Sequence, residues 1–160
     1  MKKVVPIFLI CISFFNCKKT SQDSTQKIPE TIQIESGLFY DVTYEDYNNN
    51  SDEKKMATNQ IVDLFDTLAW EDGSFITIEI SATNVLQFMN EGGDKFLVEI
   101  TNETDNPMTF HQKFATKEEC KEIVNTVLNA KELDAVFLST FYKVPIMTKT
   151  LEEVMAEQSK

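Results

Sequence analysis

Four short segments in which apolar and polar residues alternate follow one another between Ile76 and Phe114, with only brief turns between them. In the first, Ile76, Ile78 and Ile80 alternate with Thr77 and Glu79; the second is Val85–Met89. In the third, Phe96, Val98 and Ile100 alternate with Leu97 and Glu99. In the fourth, Met108, Phe110, Gln112 and Phe114 alternate with Thr109, His111 and Lys113. A period of two is the pattern of a strand with one face buried. Gly92-Gly93 reads as a tight hairpin, and Asn102–Pro107 as a second turn. Links this short join only antiparallel neighbours, because a parallel pair needs a crossover of a dozen residues or more. The segment is therefore a meander that needs one face covered.

Helices to cover it lie on either side. Ala57, Ile61, Leu64, Phe65 and Leu68 recur at helical spacing, and Asn50 with Glu53 reads as their capping box, Ser51 and Asp52 being alternative caps. Trp70 then leads into a turn at Glu71-Asp72-Gly73. Thr116 and Glu119 form a second capping box, followed by the stripe Cys120, Ile123, Val124, Val127 and Leu128. Upstream, Leu38, Tyr40, Val42 and Tyr44 fall on one side of a strand and Phe39, Asp41 and Thr43 on the other, until the polar run Asn48–Ser51 breaks it. Ala135–Met147 is strand-like and ends at Pro145; Leu151, Val154 and Met155 make a weak helical stripe. The expected fold class is α+β: an antiparallel β meander of about four strands, near residues 74–115, packed by two helices near 52–69 and 116–130.

The amino terminus carries a different kind of signal. Lys2 and Lys3 precede an apolar run from Val4 to Phe15, and Asn16-Cys17 follows. The run is too short to span a bilayer, which takes roughly 20 apolar residues, and Pro6 interrupts it. Residues 1–17 resemble the signal peptides of bacterial lipoproteins, in which the cysteine is acylated and becomes the first mature residue. Phe14 and Asn16 depart from the aliphatic and small residues usual in that motif. The resemblance implies a signal peptide over 1–16 and lipidation at Cys17. The polar stretch to residue 30 then reads as a flexible tether, and 31–160 as one globular domain. Asp23-Ser24-Thr25 resembles a short O-glycosylation sequon. Lys18, and the lack of an acidic cluster over 18–22, imply the outer membrane, facing the periplasm.

Charge narrows the partners. The 160 residues hold 26 acidic and 15 basic side chains, and every basic one is lysine. Loss of Lys2 and Lys3 with the signal takes the formal charge from −11 to −13. Such a surface repels phosphate backbones and has no arginine fork to grip them, so no nucleic acid is expected. Membrane attachment falls to the lipid anchor, and the acid excess suits solubility, a basic protein partner or a cation. Cys11 leaves with the signal and Cys17 is the lipidation site, so Cys120 is a lone thiol. Its place in an apolar stripe marks it as buried and inert.

Catalytic patterns are scarce. The single histidine, His111, is expected to be solvated on the strand face opposite Phe110 and Phe114. No Gly-x-Ser-x-Gly elbow, phosphate-binding loop, Cys–His arrangement or His-Glu-x-x-His helix occurs. Asp46 to Asn50 has the spacing of a calcium loop, but Ser51 and Ala57 stand where that loop needs glycine and a bidentate glutamate. A loop closing onto a helix cap explains the same residues. The pairs Glu45/Asp46, Glu71/Asp72 and Glu118/Glu119 sit at turns and helix starts rather than in apolar pockets. No cofactor and no metal are expected. Tyr40, Tyr44 and Tyr47, interleaved with Asp41, Glu45 and Asp46, are the candidate binding residues for a protein or a sugar; the same pattern also fits an edge strand with an aromatic inner face. The expected function is non-enzymatic binding by a lipid-anchored domain. The order helix, four strands, helix over residues 52–130 is similar to some immunity proteins of bacterial toxin systems, which implies an alternative role in neutralising a toxin. A small hydrolase is the third possibility.

Overall fold

An edge hairpin separates the first strand from the first helix. The computed structural model describes residues 31–34, 37, 39–48, 50–102, 109–145 and 149–160. The expected signal, the expected lipidation site Cys17, the expected tether, Leu38, Met108 and nearly all of the expected turn at Asn102–Pro107 lie outside them. A two-residue strand β1 (Ile32–Gln33) is followed by β2 (Tyr40–Glu45) and β3 (Ser51–Met56), which pair antiparallel from Tyr40↔Met56 to Glu45↔Ser51. The Asp46 carboxylate builds the turn between them. Its Oδ1 accepts the backbone N–H of Asn48 (2.9 Å) and of Asn50 (3.0 Å), and its Oδ2 accepts the Asn50 amide (3.1 Å).

This corrects the expected start of the first helix. Glu53 is not a cap; it stands mid-strand opposite Thr43, and helix α1 runs Thr58–Thr67. The reason is that β3 is the outermost strand. Its first five residues, Ser-Asp-Glu-Lys-Lys, are all exposed, and an edge strand of that kind carries no apolar alternation to read. Pairing is written instead in cross-strand polar contacts, Lys55 Nζ to Asp41 (2.7 Å) and Lys54 Nζ to the Tyr44 hydroxyl (3.2 Å). The apolar stripe was read rightly in α1, where Ile61, Leu64 and Phe65 are buried.

The meander follows as β4 (Phe75–Glu79), β5 (Val85–Asn90), β6 (Phe96–Asn102) and β7 (Thr109–Ala115), each antiparallel to the next. At the β5–β6 turn, Gly92 and Gly93 take φ of 96° and 63°, values that favour glycine. The buried Asn90 side chain holds that turn, donating to Gly93 O (3.0 Å) and accepting from Gly92 N–H (2.9 Å). Helix α2 (Lys117–Asn129) starts at the expected box: Thr116 Oγ1 accepts the Glu119 N–H, and Glu119 accepts the Thr116 N–H.

Ala135–Met147 needs a second correction. After β8 (Glu132–Leu133) it divides into a single helical turn α3 (Ala135–Leu138) and a strand β9 (Tyr142–Pro145). Asp134 decides this, because its side chain caps the Phe137 N–H at 2.9 Å and so starts a turn where apolar density alone suggested extended chain. Helix α4 (Leu151–Gln158) closes the described chain. The main sheet therefore has seven strands in the order β3-β2-β4-β5-β6-β7-β9, more than the four expected; β1 and β8 pair separately.

One face of the sheet holds the main core. Val42, Ile76, Ile78, Phe88, Val98 and Ile100 pack there against Ile61 and Phe65 of α1 and Cys120, Val124 and Val127 of α2. Phe65 meets Phe88 edge-on at 5.1 Å, and Trp70, whose Nε1 donates to Phe65 O, meets Phe96 at 4.8 Å. Lys121 of α2 ties the two helices together through Asp66 of α1 (2.6 Å) and also pairs with Glu118 of its own helix (2.9 Å). His111 belongs to this same face, opposite Ile100, and is 2% exposed. The expectation of a solvated histidine is thus corrected. Phe110 and Phe114 of β7, alternating with His111, face the other side, where α4 covers Phe114.

Candidate functional site

The face of the sheet turned away from α1 and α2 is ordered in rows. Cross-strand register sets Thr43, Thr77, Gln87, Glu99, Gln112 and Tyr142 side by side across six strands. Residues directly opposite one another in an antiparallel pair share a face, so these six form one polar row. The neighbouring row runs Glu45, Phe75, Met89, Leu97 and Phe114. On the other side of the polar row lie Thr101, Phe110 and Val144. Phe75, Thr77, Gln87, Met89, Leu97, Glu99 and Phe110 are all half-buried. Helix α4 covers only the β6–β7–β9 end, where Leu151 and Val154 pack on Leu97, Phe114, Tyr142 and Val144.

Glu99 and Gln112 are the polarised pair of that row. The Gln112 amide nitrogen donates to Glu99 Oε1, which fixes the amide's orientation. Burial raises the Glu99 carboxyl above its ordinary value, against the hydrogen bond from Gln112 and with like-charge repulsion from Glu91. Gln112 is 8% exposed, and its own carbonyl oxygen is buried with no hydrogen-bond donor to it among the described residues. Beside the pair, between β6, β7 and the first turn of α4, lies a cavity of about 250 Å³ lined by Glu91, Leu97, Gln112, Phe114, Lys149, Thr150, Leu151 and Glu152. Sequence reasoning missed Glu99 and Gln112. The available signal was a carboxylate alternating with a wholly apolar set, Phe96, Val98 and Ile100, so that it had to lie on a second, partly covered face.

No family model, no curated protein and no solved structure matches this chain. The chemistry of the face must speak for itself.

The three candidate tyrosines are not brought together. Tyr40 is 4% exposed, and its hydroxyl donates to Leu128 O at 2.8 Å, tying β2 to α2. Tyr44 is half-buried against the main core with Lys54 over its ring. Tyr47 is 60% exposed beside the β2–β3 turn. Tyr40 does line a hollow of about 290 Å³, shared with exposed Phe39, the Asp41–Lys55 ion pair and Glu79. The calcium-loop spacing at Asp46 is used otherwise. Its carboxylate is held below its ordinary pKa, first by the Asn50 amide and further by the N–H groups of Asn50, Ala69 and Asn48. Among the described residues no cluster of three or more His, Cys, Asp or Glu is gathered for a metal.

Proposed function

We propose that the protein is a lipid-anchored, periplasm-facing binding protein without catalysis, and that it meets its partner through the outer face of the sheet. The observation that carries the reading is the open part of the polar row, Thr43–Thr77–Gln87–Glu99, flanked by half-buried Phe75, Met89 and Phe110. An interface needs apolar area for adhesion and fixed polar groups for register, and this face offers both. The raised Glu99 carboxyl is partnered by the Gln112 amide, and a carboxyl held by an amide is suited to recognition. Anchoring rests on the Cys17 signal alone; no helix among the described residues is long and apolar enough to cross a membrane. Toxin neutralisation is the second reading, favoured by the order α1, β4–β7, α2 in an acidic chain.

Retention from detergent-solubilised envelopes tests the proposal. Wild-type protein should hold a discrete component that the Thr77→Arg/Gln87→Arg variant loses, while Asn125→Arg on α2 keeps it. Equal retention by all three would rule the face out, and retention of a single secreted toxin would favour the second reading. Cys17→Ala should move the protein out of the membrane fraction, since each buried acyl methylene contributes about 0.8 kcal/mol to anchoring. Wild-type protein found wholly in the soluble fraction would refute the anchor.

A further inference from the structure

A hollow of about 290 Å³ opens at the β2–β4 end of the outer face, across the sheet from α4. Strand register builds it. Val42 pairs with Ile78, which brings Asp41 of β2 beside Glu79 of β4, and Lys55 of β3 stands opposite Asp41 on the other side. Asp41 alternates with the core residues Tyr40 and Val42, so these three charged side chains share the outer face with Thr43. All three line the hollow, together with Phe39 and Ser81. Asp41 and Lys55 stay open to solvent while paired at 2.7 Å. Donors and acceptors are mixed. The carboxylates of Asp41 and Glu79 accept, and the Lys55 ammonium gives one of its three donors to Asp41. Ser81 Oγ accepts from the Asn84 amide (2.9 Å) and the Thr83 N–H (3.3 Å), which leaves its own proton to donate. Phe39 is 58% exposed, an aromatic ring left in water on the wall of a polar hollow.

We infer that this hollow is a site for one neutral hexopyranose ring, the terminal sugar of a glycan. A pyranose has a face of ring C–H groups that lies on an aromatic ring, and a rim of hydroxyls that each donate and accept. The same combination stands in the hollow: Phe39 for the apolar face, and Asp41, Glu79, Lys55 and Ser81 for the rim. An anion would meet both carboxylates. A cation would compete with the Lys55 ammonium already seated on Asp41. A wholly apolar ligand would strip water from three charges and return no hydrogen bond. The volume lies at the small end of ligand sites, which begin at roughly 300 Å³, so it suits a single ring. The assignment rests on the proposed binding face and names the chemistry it recognises at its β2–β4 end.

The test uses the full chain in detergent micelles, with methyl β-D-galactopyranoside and methyl β-D-glucopyranoside as probes. Sorbitol serves as a polyol without a ring face, and D-galacturonate as the charged counterpart. Two-dimensional NMR follows the backbone amides of Lys55 and Ser81. At least one pyranoside should give a saturable shift at both, and sorbitol and galacturonate none. Phe39→Ala, at an exposed position, should keep the wild-type melting temperature and weaken the pyranoside roughly tenfold. Phe39→Tyr keeps the ring face and should bind as wild type does, and Glu79→Ala should weaken binding by removing an acceptor. No saturable shift with either pyranoside, an equal response to sorbitol or galacturonate, or undiminished binding in Phe39→Ala would each overturn the assignment. An envelope partner retained through Thr77 and Gln87 without any pyranoside response would overturn the sugar site alone. Pyranoside binding with no retained partner would overturn the partner reading alone.

Discussion

Cys120 and Glu99 show how burial sets chemistry residue by residue. Cys120 is fully buried under the helix stripe, and burial, with the negative charge of Glu119 and Asp94, pushes its thiol up to about 12. A helix N-terminus lowers a thiol pKa, but here desolvation wins. The folded protein should resist iodoacetamide at pH 8 and react only on unfolding, and Cys120→Ser should cost about 1–3 kcal/mol through a poorly satisfied hydroxyl. Fast labelling of the folded chain would contradict this. Glu99 works the other way on stability. Its folded pKa is raised, so its contribution is full below the unfolded value of about 4.3 and is lost as pH rises through the folded value. Glu99→Gln should therefore raise the melting temperature at pH 7, with the gain fading below about pH 4. A variant less stable than wild type at pH 7 would show that the charged carboxylate is needed. The stripe made Cys120 legible in advance. His111 was not legible, because which face of β7 meets the main core depends on register with Ile100 and on cover from both sides, neither of which a single strand encodes.

Elements were legible where they bury one face and carry a cap. The α2 capping box and stripe were readable in the sequence, as were Ile76–Ile80 and Phe96–Ile100, since each has one side in the core. β3 was illegible because it lies at the sheet edge and buries only Met56. Its lysines have a physical role there: charged side chains on an edge oppose pairing with another chain. Lys54→Val/Lys55→Val should leave the melting temperature little changed, because exposed ion pairs such as Lys55–Asp41 contribute about 0–1 kcal/mol. The same variant should self-associate as concentration rises, and sedimentation velocity would detect it. A variant that stays monomeric at high concentration would mean that the opposite face of the hairpin already protects the edge. At the other end, β9 is only four residues long and terminates at Pro145, which lacks the donor needed to extend the ladder.

At the scale of the molecule, the helices α1 and α2 consume one face of the sheet, and α4 packs on three of the seven strands on the other. The α+β class and the meander followed from periodicity and turn chemistry. The outer face did not, because its half-buried row is an outcome of strand order: β2 inserts between β3 and β4, and β9 adds beyond β7. That order carries the meander's own row of Thr77, Gln87, Glu99 and Gln112 outward to Thr43 on one side and Tyr142 on the other. The partner-facing role of that row is the centre of the account, and site-specific photocrosslinking in intact cells tests it most directly. A benzophenone side chain placed at Gln87 on the outer face, or at Asn125 on α2, leaves the main core untouched. The account predicts a discrete adduct from position 87 and none from 125. An adduct from 125 alone would contradict it, placing the interface on the helical layer instead.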